Sequence, residues 1–474
     1  MKILHIGDNV KHGHRFNGFY ISELLNEVGH DSVHLVWDKN LKADKTYSIK
    51  ERNNSNTSLQ QIGKKLNDFY GTSGLFYSFS YDLLFDKNFL ECDIVHLHLI
   101  HNHFFGIEFL PILSKLKPIV WTFHDPWPLT GHCVHFFSCN QWQTGCGNCN
   151  QLETHFKVNH DSTALNWQIK KIIFESSNIN IISTSQWMTD LVSKSHFFNN
   201  SKIFEVPFGI DLNIFYKQTD RQSLRNLYKI PHNHIVIGFR STNSSFKGIN
   251  LLQELVEKLT NFSNITLVTF QEKGLFSKFN KKINIVELGW IEDDKRMSIA
   301  YNLLDIFIMP SYAETFGMMA IEAMACELAL IVMNGTALEH ITMPEKSNVQ
   351  SFEYANATNL YEKVIYLINN RSIRSEIGKK SRIVVEEYYS KEIYLNNIIE
   401  VYKNVLTNTN ISAEAKFVID QQLKTRRFIT NPQIYIVDKY GYFISKFLNL
   451  FYPINWLKVI KIIINKIKNE INKF

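Results

Sequence analysis

The 474-residue sequence contains no run of 18 or more apolar residues, which excludes a conventional transmembrane helix. Only 10 Pro and 20 Gly are present, too few for a collagenous or low-complexity chain. Charged residues are 20% and hydrophobic ones 45%, a balance that excludes disorder driven by charge excess and a poor core. The net charge of +6 is too small to imply nucleic acid. Cysteines number six, and a chain of this length buries a core without disulfide staples. The start turns polar at Asp8, too soon for a signal-peptide core, and reads as a first buried strand. The expected location is therefore the cytoplasm. The pattern G-x-x-x-x-G-K-[ST] is missing around Lys247-Gly248, which argues against an ATPase.

What is there is a β-α-β alternation. Apolar runs at Lys2–Gly7, Asp31–Trp37, Asp93–Leu99, Pro118–Phe123 and Ile179–Ser185 read as strands, and Gly18–Val28 as a helix stopped by Gly29. A second cycle follows from about residue 209. Its strands are His234–Arg240, Ile265–Phe270, Ile283–Leu288, Asp305–Pro310 and Ala329–Met333. Its helices are Gly248–Leu259, Asp293–Leu303 and Phe316–Cys326. This order predicts the α/β class: two Rossmann-like, doubly wound domains facing each other across a cleft, with ligands beyond the carboxyl ends of the strands. Residues 41–75, rich in Asn, Ser and Lys, read as a loop or insertion.

The sharpest motif is Glu314-Thr-Phe-Gly-Met-Met-Ala-Ile-Glu322. A helix starting near Phe316 presents the N–H groups of Phe316, Gly317 and Met318, where a phosphate is favoured. Glu322, two turns on, is placed to accept ribose hydroxyls, and Glu314 to meet whatever the phosphate carries. The plainer reading is one capping and one solvated glutamate. Arg240 closes a strand and Lys247 opens the next helix, so both can face one crevice and neutralise a diphosphate. The plainer reading there is two surface charges.

These segments, with Thr-Phe-His124-Asp125, Ser183-Thr-Ser185-Gln-Trp187, Val206-Pro207-Phe-Gly209-Ile-Asp211 and Leu288-Gly289-Trp290, resemble retaining glycosyltransferases of family 4, which have the GT-B fold. The resemblance spans roughly residues 1–408. It implies a nucleoside-diphosphate sugar (UDP- or GDP-linked) on the C-terminal domain and a glycan or lipid-linked acceptor on the N-terminal one. By that resemblance Arg240 and Lys247 hold the diphosphate, Glu322 the ribose and Glu314 the transferred sugar. Trp290 and Ile291 lie at the base, and His124 near the reacting sugar. Gly13 takes the place of the family's first-loop glycine pair, which reads Lys11-His12-Gly13-His14 here. The implied domains are 1–208, 209–388, a helix over 389–410 returning to the first domain, and a tail over 411–474. The implied chemistry needs no cofactor. A nucleotide-sugar epimerase on the same fold, or a zinc-dependent binding protein, are the competing readings.

His124 to Cys133 and the following cysteines are similar to a subgroup that assembles bacterial surface polysaccharides. Cys133, Cys139, Cys146 and Cys149, spaced C-x5-C-x6-C-x2-C, suit a structural zinc, with His132 and His135 as alternative ligands and free thiols as the other reading. Residues 125–152 contain no Lys or Arg, so a nucleic-acid role for this loop is not expected. His96, His98, His101 and His103 form a second cluster, with His98 expected to line the acceptor cleft. Between Lys439 and Phe474 there are seven Lys and one Glu on an amphipathic pattern. Such a helix suits an anionic membrane surface, such as the inner face of the cell membrane, or packing on the first domain.

Overall fold

The computed structural model describes residues 1–10, 16–41, 43–52, 54–77, 79–154, 157–409, 411–413, 415–416 and 419–420, with the side chains of 51–59 excepted. Met1–Lys416 is one compact unit and Phe417–Phe474 a second. The basic tail over 439–474 and the loop position Gly13 both lie outside the described residues.

Among the described residues the first sheet has seven parallel strands: β1 Lys2–Val10, β2 Asp31–Lys39, β3 Thr46–Ser48, β4 Ile94–Leu97, β5 Ile119–Phe123, β6 Ile179–Ser183 and β7 Ile203–Glu205. Their order is 3-2-1-4-5-6-7. The second sheet has six: β8 Ile235–Ser241, β9 Ile265–Gln271, β10 Asn284–Gly289, β11 Ile306–Met309, β12 Ala329–Met333 and β13 Gln350–Phe352, in the order 10-9-8-11-12-13. Both sheets reverse direction next to their first strand, between β1 and β4 and between β8 and β11. A crevice opens at such switch points.

The strands are near-continuous apolar runs because helices cover both faces. In β11 and β12 every residue is buried. The helix Lys391–Asn408 follows a bridge between Ile210 and Ser390, and its Tyr402 hydroxyl lies 2.7 Å from His96 Nδ1 under the first sheet.

Residues 41–75 are not the loop that their composition suggested. They form β3 and a helix, Asn54–Tyr70. Among the described side chains its buried side is polar or bare rather than apolar. Gly63 is packed against the main chain of Phe76, and buried Asn67 donates to the carbonyls of Gly63 and Leu75. A helix anchored by glycine and asparagine leaves no 3.6-residue apolar signal.

Candidate functional site

The charged cluster sits at the switch point of the second sheet. Arg240 is the penultimate residue of β8, and its Nε donates to Gln271 Oε1 at the end of neighbouring β9. Lys247 follows on a short turn that ends at Gly248. There φ is +69°, and a Cβ would stand 2.0 Å from the Pro310 carbonyl oxygen, so only glycine lets the turn close against β11. Beyond β11, Glu314 reaches back: its Oε1 accepts from Lys247 Nζ and, at 3.2 Å, from Ser311 Oγ. Burial pushes the Glu314 carboxyl up, but Lys247, then Arg240 and His135, outweigh it and hold the group below its ordinary value. Glu314 is thus a carboxylate at neutral pH, held by one cation and facing a second.

The following helix begins at Met318, not at Phe316. The cap is Gly317 with φ +102°, where a Cβ would meet Leu338 Cδ2 at 2.4 Å. Phe316 and Gly317 therefore precede the helix, and no side chain caps its first turn. Phe316 is buried edge-on against Phe208 and Tyr389. Met318, at the helix start, is half-buried. Glu322 is buried, and its Oε2 accepts from the Tyr301 hydroxyl at 2.9 Å. Trp290 stands 48% exposed just beyond β10, with Ile291 half-buried beside it. No hydrogen bond or ring contact joins Trp290 to the charged cluster among the described residues.

A chain of hydrogen bonds ties this cluster to the first domain. Thr315 Oγ1 donates to the His124 carbonyl at 2.6 Å, and Ser185 Oγ donates to the Thr315 carbonyl at 2.8 Å. Ser185 also caps the helix Gln186–Lys194, so a helix N-terminus is engaged by the same hydroxyl. The His124 ring stacks on Phe208, centroids 5.5 Å apart, and its Nε2 lies 3.2 Å from His98 Nδ1. Burial lowers the His124 pKa to about 4. His98 does not line the cleft: it is 1% exposed and lies behind His124. His101 bonds Asp125 Oδ2 at 2.7 Å, and His103 bonds the Tyr77 hydroxyl at 3.0 Å.

The cysteine loop approaches the cluster from the first domain. Phe137 stacks on Phe246 at 5.3 Å with 5° between the rings, and His135 lies 5.5 Å from the same ring. Phe246 immediately precedes Lys247. Burial pushes the Cys133 thiol up to about 12, reinforced by Cys149, Cys146 and Cys139. Gly131 N–H donates to Cys146 Sγ at 3.3 Å and Gln151 N–H to Cys149 Sγ at 3.4 Å. Fully buried Lys170 donates to the carbonyls of Trp127 and Thr130 at 2.7 and 2.8 Å. Burial pulls its pKa to about 7, against an upward push from Cys146, Cys133 and Asp125. Among the described residues no three of the four sulfurs lie within 4.8 Å of one another. Among the described residues, the group whose ligand atoms all lie within 4.8 Å of one another is His5, His96 and His98. His132 is buried and lowered to about 4.

Gln271, Ser311 and Tyr301, which orient the charged groups, and Phe246 carry no local sequence signal, while Thr315 and Ser185 lie in motifs whose spacing does not show that they bond each other. Gln271, Ser311 and Tyr301 are ordinary residues until the fold sets them beside a charge.

Residues 220–384 match the family model described as Glycosyl transferases group 1. The chain is 23% identical to the putative colanic acid biosynthesis glycosyl transferase WcaC of Escherichia coli (strain K12) over 323 residues, 66% of this chain and 76% of that protein. It is 26% identical to the capsular polysaccharide biosynthesis glycosyltransferase CapM of Staphylococcus aureus over 239 residues, 48% and 62% of the two chains. Among solved structures, sucrose-phosphate synthase from Thermosynechococcus elongatus superposes with a TM-score of 0.58 at 16% identity, covering 86% of this chain and 99% of that one. Anabaena HepE in complex with UDP-glucose gives 0.58 at 14% identity, covering 85% and 100%. The structural likeness shows the GT-B fold. The family match falls on the half that carries Arg240, Lys247, Glu314 and Glu322.

Proposed function

We propose that this glycosyltransferase moves a sugar, with retention of anomeric configuration, from a nucleoside-diphosphate sugar to a glycan or lipid-linked acceptor in surface polysaccharide assembly. The observation that carries the reading is the Lys247–Glu314 ion pair beside Arg240, one residue from the Thr315 contact to His124. That arrangement gathers what a sugar diphosphate requires: two cations and an uncapped helix turn for phosphate, and a carboxylate for hydroxyls. Arg240 and Lys247 offset the charge that grows on the departing diphosphate. Glu314 orients the sugar, Glu322 takes the ribose, and Trp290 and Ile291 flank the base. The acceptor hydroxyl attacks from the leaving-group face, near His124.

The donor class is supported by the complex of HepE with UDP-glucose, and the pathway by the names of WcaC and CapM. The cysteine loop is read as a structural zinc clip against Phe246. Its support is the pair of N–H to sulfur bonds and a buried lysine beside Cys133 and Cys146, which would offset thiolate charge. Among the described residues no helix is long and apolar enough to cross a membrane. A membrane-surface acceptor rests on the tail's lysine pattern alone.

The direct test is a thermal-shift screen of UDP, GDP and their sugars. A ligand that binds only the folded state raises the midpoint. One diphosphate should do so with its sugar conjugates, and NMR of the product should show the donor's anomeric configuration kept. If no nucleotide shifts the midpoint at millimolar concentration, the donor reading is wrong.

A further inference from the structure

A row of histidines crosses the first sheet. His5 on β1 pairs in register with His34 on β2 and with His96 on β4. His98 lies two residues beyond His96 and so on the same face. Burial lowers His34 and His96 to about 3, His124 to about 4, and His5 and His98 well below their ordinary value. All are neutral at neutral pH, each with one N–H and one lone pair.

His98 joins two of them end to end. Its Nε2 is 3.0 Å from His5 Nδ1, and its Nδ1 is 3.2 Å from His124 Nε2. A bond between two neutral imidazole nitrogens needs one proton and one lone pair, so the three rings have only two consistent arrangements. In the first, His124 Nε2–H donates to His98, His98 Nε2–H donates to His5, and His5 carries its proton on Nε2. In the second every bond is reversed: His5 and His98 donate from Nδ1, and His124 accepts at Nε2 and carries its proton on Nδ1. His96 takes no part in the choice, because its nitrogens are bonded to Tyr402 and Thr122.

The far end decides. His5 Nε2 is buried without a hydrogen-bond partner. The first arrangement seals an unpaired N–H there, the second only a lone pair. Orphaned buried donors are the rarer of the two in main chains, and the same desolvation applies to a ring. At the near end, His124 is half-buried, and its Nδ1 is neither bonded to protein nor sealed from solvent among the described residues.

We propose that His98 and His5 are positioning residues that hold His124 as the Nδ1–H tautomer, making it a hydrogen-bond donor to a sugar oxygen in the cleft and not a base. This rests on the reading that His124 faces the reacting sugar. A donor cannot take the acceptor's proton. That proton passes to the departing phosphate oxygen, whose bond to the sugar breaks as the acceptor oxygen's bond forms.

The test is nitrogen-15 NMR of protein labelled in its histidine rings, with His124 assigned by its loss in His124→Gln. At neutral pH, His124 should show a protonated Nδ1 and a bare Nε2. A proton on Nε2 overturns the proposal. In His98→Leu, His124 should revert to the Nε2–H form that free imidazole side chains prefer. Turnover should then fall about tenfold, the loss of one hydrogen bond, while nucleoside diphosphate affinity and donor KM stay put. His98→Asn, whose amide N–H reaches the place of Nδ1, should restore most of the turnover. A His98→Leu enzyme whose tautomer flips at unchanged turnover also overturns the positioning role. If His124→Gln turns over like wild type, it is the assignment of His124 to the sugar that falls, while the tautomer result stands.

Discussion

The two sheets share a winding pattern and differ in what they bury. At the centre of the second sheet, Ile237 pairs with Leu267 and Ile306, all fully buried and apolar. At the centre of the first, the same topological place holds His5 between His34 and His96. The second domain buries only small hydroxyls within its strands, Thr266 and Thr269 on β9 and Ser241 on β8, and gathers its charged groups Arg240, Lys247 and Glu314 at the carboxyl ends of the strands. The first domain carries polar groups into its interior, where each must be bonded or stay neutral. Parallel winding therefore tolerates either filling. A site built on the rim of an apolar sheet borrows rigidity at little cost, whereas one backed by buried histidines gains orientation and loses stability.

The sharpest way to break this contrast is at the rim. Lys247→Ala should lower turnover by about 10²–10³-fold and also weaken diphosphate binding, because its charge serves both bound diphosphate and transition state. Steady-state rates with calorimetry check both. Unchanged binding would detach Lys247 from the diphosphate.

Zinc removal should act on the first domain. Metal analysis of washed protein is expected to give about one zinc per chain, with Cys133, Cys139, Cys146 and Cys149 as its ligands. Chelation should lower the unfolding midpoint, since structural metal binding is folding free energy. Less than about a tenth of an equivalent, with stability unchanged by chelator, would remove the site.

Acid should also separate the halves. The buried histidines have folded-state values below the ordinary 6.5, so below about pH 6.5 the unfolded chain binds more protons than the folded one. Stability is lost progressively from there toward the folded values of about 3 to 4. Pulse proteolysis at pH 7 and 5 should place the first acid-induced cuts within residues 2–205. First cuts within 235–352 would contradict the contrast.

The smallest effect tests the contact between the halves. Phe246→Ala removes the ring against Phe137 and His135 and should cost about 0.5–1.5 kcal/mol, read as a few-fold rise in donor KM. No change would make the contact incidental.

Much of the second domain was legible because strands of a doubly covered sheet are apolar throughout, and because its charges sit at fixed offsets from strand ends. Arg240, Lys247 and Glu314 do converge. The first domain was less legible for the same physical reason that sets it apart. His96 and His98 were visible as a cluster, but their partners His5 and His34 come from other strands, and only register brings them together. The Asn54–Tyr70 helix was invisible because, among its described side chains, the buried positions are Gly63 and Asn67. The offset of the helix start from Phe316 to Met318 follows from the Gly317 backbone, which no spacing argument contains.

If the rim of the second sheet holds a sugar nucleotide, the two glutamates divide its nucleoside from its sugar. Calorimetric titration of the preferred nucleoside diphosphate into wild type, Glu322→Gln and Glu314→Gln, alongside transfer rates, tests it most directly. Glu322→Gln should weaken diphosphate binding by about 1.5–3 kcal/mol, because the ribose loses a charged acceptor. Glu314→Gln should bind the diphosphate like wild type and turn over far more slowly. If both variants bind and turn over like wild type, the glutamates do not hold the donor.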